Sequence, residues 1–143
     1  MGFLSGMDIS ASGLTAQRLR MDVISENIAN IDTTRTEEGG PYTRKYVVME
    51  EREASFSQTL KNASEAVGAG VRVSEIGEDS SEYQRVYDPD HPEADEDGYV
   101  AYPNVQVTQE MVDMLSAYRA YEANITAFGA YKSMAVKTLE IGT

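Results

Sequence analysis

Residues 87–104 read YDPDHPEADEDGYVAYPN and gather six carboxylates, the chain's single histidine and three of its four prolines. Three roles draw on such a set: oxygen coordination of a divalent cation, acid/base work by paired carboxylates, or a loop whose shape is fixed by proline. The twelve-residue calcium-loop template needs oxygen ligands at positions 1, 3 and 5, glycine at 6 and glutamate at 12. Started at Asp88, it meets Pro92 at position 5, Glu93 where glycine belongs and Tyr99 where glutamate belongs, so the match fails. A transition-metal centre wants more nitrogen ligands than His91, and a triad needs a nucleophile that no motif identifies. Proline fixes φ and blocks regular hydrogen bonding, so a rigid irregular loop ranks first. Cation binding through residues 87–98 ranks second and carboxylate hydrolysis last; no catalytic residue, metal ligand or cofactor is assigned.

The elements around this loop follow from punctuation. The four prolines (Pro41, Pro89, Pro92, Pro103) and six of eleven glycines lie between Arg35 and Asn104, whereas residues 14–34 have neither and 105–141 only Gly129. Long helices are therefore expected at both ends and short strands between them. TRKYVVMEE (43–51) and VGAGVRVSEI (67–76) carry the β-forming residues; residues 53–66 stay ambiguous between loop and short helix. The expected class is mainly α with a small β module. A discontinuous helical unit (1–34 with 105–143) forms a coiled-coil or bundle layer, and residues 35–104 form a small β/loop domain with an acidic, proline-rich linker at 78–104.

Met111, Met114, Tyr118, Tyr121, Ile125, Phe128, Lys132, Ala135 and Leu139 recur at alternating steps of three and four, the pattern of a coiled-coil seam. Met7, Ala11, Leu14, Arg18, Met21, Ser25 and Ile28 repeat it near the N-terminus, while Ile9, Ala16 and Val23 form a second stripe on the same helix. An ordinary intramolecular hairpin accounts for one stripe per helix. A second face with no large core to cover it points to partners outside the chain, and to ends that order on assembly.

Charge and composition narrow those partners. With 24 acidic and 12 basic side chains the net charge is −12, which opposes the phosphate neutralisation that nucleic-acid binding requires. Glu78 to Asp97 holds nine acids and one arginine, two thirds of that excess. No apolar run reaches the roughly 18 residues of a membrane span, and MGFLSGMDIS lacks the basic and apolar regions of a cleaved signal. By these signals alone the chain reads as cytosolic. The absence of cysteine removes thiolate chemistry and suits a chain that crosses compartments unfolded.

The run VYDPDHPEADEDGYVAYPNVQVTQEMVDMLSAYRAYEANITAFGAYKSMAVKTLEIG resembles the C-terminal half of bacterial flagellar basal-body proximal rod proteins of the FlgC type. SENIANIDTTRTEEGGPYTRKYVVM resembles that family's N-terminal signature, an Asn-Ile-Ala-Asn run followed by a Pro-Tyr turn at Pro41 and Tyr42. Many rod and hook relatives continue into Thr-Pro-Gly-Tyr, whereas Thr33, Thr34 and Arg35 stand here, which favours the short proximal type.

The resemblance implies a structural subunit of the rod, part of the drive shaft for motility. It implies export through the flagellar type III apparatus without a cleaved signal, a periplasmic destination, and partners among other rod and basal-body proteins and copies of the chain. It implies assembly through Met7, Leu14, Met21, Ile28, Met111, Met114, Tyr118, Tyr121, Ile125, Phe128 and Leu139, with Met111, Met114, Tyr118, Tyr121, Ile125 and Phe128 packing the seam between helices. It gives Asn27 and Asn30 the task of ending the first helix and bonding the turn behind it. Ordinary C-cap chemistry stands beside an intersubunit role for these asparagines. Pro103 and Asn104 are expected to set the entry to the second helix. A coiled-coil adaptor or another secreted assembly protein is the alternative, but it does not call for the Asn-Ile-Ala-Asn and Tyr-Pro-Asn blocks together.

Overall fold

A computed structural model describes residues 3–53 and 68–141. In chain order the elements are helix α1 (Phe3–Ala29), strands β1 (Lys45–Glu51), β2 (Val71–Glu78), β3 (Gln84–Tyr87) and β4 (Tyr99–Tyr102), and helix α2 (Val107–Ile141). The expected class holds: two long helices flank a small β part. The ambiguous stretch 53–66 lies, beyond its first residue, outside the described residues.

The helices run antiparallel in a heptad register. A Cβ on Gly6 would lie 2.6 Å from a ring carbon of Tyr131, and one on Gly13 would lie 2.8 Å from Asn124 Oδ1. Arg20 pairs with Asp113 at 3.3 Å, and Asn27 bonds Glu110 at 3.0 Å. The seam on α1 is thus Gly6, Ser10, Gly13, Arg20, Ile24 and Asn27, facing Tyr131, Asn124, Ala117 and Glu110 on α2, of which Ala117 is fully buried. Small side chains here let the two backbones approach closely.

This seam lies one residue behind the stripes expected from hydrophobic spacing, which corrects the assignment of those residues to the pairing of the chain's own helices. Met114, Tyr121 and Phe128 flank it, half-buried. Met111, Tyr118, Ile125 and Leu139 stay outside, with Ile125 48 % and Leu139 73 % exposed. One step forward turns each helix by about 100° about its own axis. In an antiparallel pair the two turns have opposite sense seen from one end, so both sets of following residues emerge on the same side. Met7, Leu14, Met21 and Ile28, all half-buried, therefore share one broad face with Met111, Tyr118, Ile125 and Leu139.

One step back from the seam, Ile9, Ala16 and Val23 turn to the opposite side, where the β1–β2 sheet covers them; Ala16 and Val23 are buried. Ser12 Oγ accepts from the Val71 amide at 3.1 Å and donates to the Ile9 carbonyl, while Gln17 Nε2 reaches Met49 Sδ. Gly70, at φ +107, brings β2 close enough to Ser12 that a side chain would collide with its hydroxyl. The expectation that α1's second face needs an outside partner is thereby corrected: the chain's own sheet supplies one. β1 and β2 pair antiparallel, with Val47 opposite Ile76 and a bulge between Val48 and Met49.

The stretch 78–104, expected to be an irregular linker, contains a hairpin instead. Gln84 pairs with Tyr102 and Tyr87 with Tyr99, and the Tyr87 and Tyr99 rings stack edge-on. Acids at its tip serve as local staples: Asp95 Oδ1 accepts from the Asp97 and Tyr99 amides, and Glu93 pairs with Arg35 at 3.0 Å. Gly98, at φ +80, makes the return turn. Strands of only four residues, QRVY and YVAY, give too short a signal to compete with the surrounding prolines, and pairing across the loop decides the outcome. Among the described residues, no three acidic or histidine side chains converge as a metal site would require.

The close helix approach makes a direct prediction. Gly6→Val should lower the helical melting temperature, because the rigid Tyr131 ring must move. Gly129→Ala, where a Cβ meets nothing within 4 Å, should raise helix stability by about 0.5–1 kcal/mol. Circular dichroism melts of both variants check the pair; equal effects would contradict the register.

Candidate functional site

Where α1 ends, α2 begins and β1 starts, polar side chains meet in the interior. Asn27 and Glu110 are both 0 % exposed. The Asn27 amide nitrogen donates to the Lys45 carbonyl at 2.8 Å and to Glu110 Oε2 at 3.0 Å. Its oxygen accepts from the Tyr42 hydroxyl at 2.9 Å and the Lys45 amide at 2.9 Å. A carboxamide has two donors and two acceptor sites, so all four are used. Asn27 sits in the last turn of α1, two residues before its end, and spends all four positions inside the chain, on Tyr42 and Lys45 behind the helix and on Glu110 of α2.

Glu110 occupies the first turn of α2, where a carboxylate complements the positive end of the helix. Its other oxygen accepts from Arg44 Nε at 2.6 Å. Arg44 also reaches Asp79 at 3.4 Å and Asp113 at 3.7 Å. Burial works against its charge, but the hydrogen bond to Glu110 and the charges of Glu110, Asp79 and Asp113 outweigh it and raise the guanidinium pKa further. A buried carboxylate with two charge-assisted or amide donors avoids the penalty of an unpaired charge.

Asn104 extends the network into the middle module. Its oxygen accepts from the Arg44 amide at 2.8 Å, and its nitrogen donates to the Asp79 carbonyl at 2.8 Å and to Ser81. Hydrogen bonds from the Ser81 backbone and hydroxyl, then the charge of Arg44, hold Asp79 below the usual carboxylate range. Pro103, fully buried, fixes the approach to α2. Half-buried Pro41 precedes buried Tyr42, whose amide bonds the Thr33 carbonyl at 3.0 Å.

The structure therefore brings Asn27, Tyr42 and Asn104 into one cluster and leaves Asn30 beside it. Asn30 back-bonds to the Glu26 carbonyl at 2.9 Å and accepts from Thr33. It closes the helix end without left-handed geometry, since no non-glycine residue among those described has positive φ. Sequence reasoning missed Arg44 and Glu110. Both are charged, and their only signal was position: Glu110 stands seven residues before Ala117, in the heptad of the buried seam.

Such a constellation locks three segments together beneath an apolar helical face. Residues 7–35 match the family described as Flagella basal body rod protein, and residues 96–141 match Flagellar basal body rod FlgEFG protein C-terminal. Flagellar basal-body rod protein FlgC of Bacillus subtilis is 50% identical over 143 residues, covering 95% of each chain. The protein of that name from Borreliella burgdorferi is 45% identical over 99% of this chain and 98% of its own. That of Aquifex aeolicus is 41% identical over 98% and 97%.

The chain belongs to the FlgC family of flagellar basal-body rod proteins. Its function is that of a structural subunit of the rod, and the adaptor and calcium-module alternatives are not favoured. Both family matches end or begin at the junction: the first contains Asn27, the second Asn104 and Glu110. Among the described residues, no helix of this rod protein is long and apolar enough to cross a membrane.

Two substitutions test the junction. Asn27→Ala strands the Tyr42 hydroxyl, the Lys45 amide and one Glu110 oxygen, and should cost on the order of 3–5 kcal/mol in chemical denaturation, against about 1 kcal/mol for Asn30→Ala. Burial first, then the charges of Glu26, Glu110 and Glu78, pushes the Tyr42 phenol from 10.0 up to about 12. A folded-state pKa above the unfolded one gives stability that is whole below pH 10.0 and disappears as pH rises through about 12. Tyr42→Phe should therefore flatten the alkaline fall in stability across that window while lowering stability at neutral pH.

Proposed function

We propose that this rod protein builds the rod wall through the shared apolar face of its two helices, packing against other rod proteins and copies of itself in the proximal part of the drive shaft. The observation that carries this reading is the split between seams. The chain pairs its own helices through Gly6, Gly13, Ala117 and Asn124, and leaves Met111, Tyr118 and Ile125 about half exposed along α2. An apolar stripe some four heptads long is expensive to leave in water and is the kind of surface that assembly covers.

On the same reading residues 1–34 and 105–143 form the assembling unit, and residues 35–104 form an outer module. Support comes from β3 and β4, which among the described elements lie close only to each other. The chain reaches the periplasmic part of the envelope through the flagellar type III apparatus as an unfolded polypeptide without a cleaved signal. A sequence without cysteine suits that route, since an oxidising compartment has no thiol to trap.

Ile125→Asp puts a carboxylate in the middle of the face, where burial against a neighbour costs several kcal/mol. Because Ile125 is exposed within the chain, the monomer should keep its fold. Glu122→Ala on the neighbouring surface should change little. Complementation of a flagellated host lacking its own FlgC should give swarming with Glu122→Ala and none with Ile125→Asp. Wild-type swarming from Ile125→Asp would sink the reading.

A further inference from the structure

Strand β3 is paired on one side only. All four of its residues, Gln84–Tyr87, are exposed, with Tyr87 at 64 % and Val86 at 46 %. β4 covers one edge, and the sheet ends there with two strands. In an antiparallel ladder, residues alternate between bonding their partner and facing away from it. The Asp88 amide bonds the Gly98 carbonyl across the ladder, while the Tyr99 amide and carbonyl turn from β3 to Asp95. Tyr87, opposite Tyr99, and Arg85, opposite Ala101, therefore turn their own N–H and C=O groups away from β4. No described residue bonds them there.

An unpaired edge is a template for a further strand, and proteins usually blunt one with charge. Here the charge has one sign. Glu78 to Asp97 holds nine acids and one arginine, a net −8 around β3. Glu82 precedes the strand and Asp88 and Asp90 follow it, none with a cation partner among the described residues. Two copies meeting edge to edge would set like charges against each other, which opposes self-pairing and leaves a strand of opposite sign unhindered. The exposed rings of Tyr83, Tyr87 and Tyr99 add faces on which an ammonium or guanidinium group can lie.

We infer that the free edge of β3 takes an extended basic segment of a different protein as a third strand of the β3–β4 sheet. Main-chain bonds to Arg85 and Tyr87 hold the segment, and the acids at the two ends of the strand select it. From Glu82 to Asp88 is six residues, about 20 Å of extended chain. The fitting segment therefore carries Lys or Arg about six positions apart, with strand-forming residues between them. This contact lies on the outer module and uses neither helix, so it stands or falls apart from the broad apolar face.

The test uses the full-length chain and three peptides with blocked ends. One is Lys-Lys-Val-Thr-Val-Thr-Val-Lys-Lys, the second has glutamate at each lysine, and the third keeps the lysines but has proline at its three central positions. The first should slow hydrogen exchange at the Arg85 and Tyr87 amides and bind at least about tenfold more tightly than the other two. Glu82→Gln with Asp90→Asn should weaken it about threefold or more. Arg85→Pro removes an outward donor and keeps the bonds to β4, so it should abolish protection at Tyr87 while the Asp88 amide stays protected. If Asp88 loses protection, the hairpin has opened and the Glu82→Gln/Asp90→Asn chain decides. Absence of binding, equal binding of the proline or glutamate peptide, or binding without protection at Arg85 and Tyr87 overturns the inference. So does a dimer in sedimentation that Arg85→Pro dissolves, because the edge would then belong to a second copy.

Discussion

Everything in this fold is hung on one carboxamide. Asn27 is sealed from water, and its two donors and two acceptor sites are all taken by groups from three other segments. A buried amide left unpaired costs several kcal/mol, so its bonds must form together or the site opens to water. They fix where β1 leaves α1, where Tyr42 sits, and which residue of α2 lies opposite the end of α1. Glu110 then carries the constraint to Arg44, and Asn104 carries it to the loop behind β2. Few apolar contacts could specify that register alone, because the seam above it is lined by glycine, serine and alanine.

That economy has a consequence for assembly. A helical pair held by small residues and a polar lock does not need its large apolar side chains internally, and leaves them on one face. The opposite face is closed by β1 and β2, so the broad surface has a single direction. On the proposed reading, this face is the apolar area that the subunit presents to its neighbours in the rod.

Much of this was legible in the sequence, though with the register displaced. Proline and glycine placement located both helices and the first two strands, because those residues act locally. The hydrophobic repeat found real stripes, but they mark the outward face. The inner seam of Gly6, Gly13, Asn27, Glu110 and Asn124 is invisible to a search for apolar spacing, being small or polar at every one of those positions. The β3–β4 hairpin was hidden for a different reason: its pairing spans an eleven-residue loop and is decided by backbone geometry at Gly98 and the Asp95 turn. Asn27 and Asn104 stood out as motif residues, but their partners Arg44 and Glu110 could be found only once the chain was folded.

Native-state amide hydrogen exchange on the dilute, unassembled chain tests the central claim most directly, with the Lys45 amide, bonded to Asn27 Oδ1, as the reporter. If the buried junction locks helices and module into one unit, Lys45 exchanges as slowly as the centres of α1 and α2, and Asn27→Ala accelerates all three together. Fast exchange through both helices of the monomer, or a fast Lys45 amide beside protected helices, would contradict it.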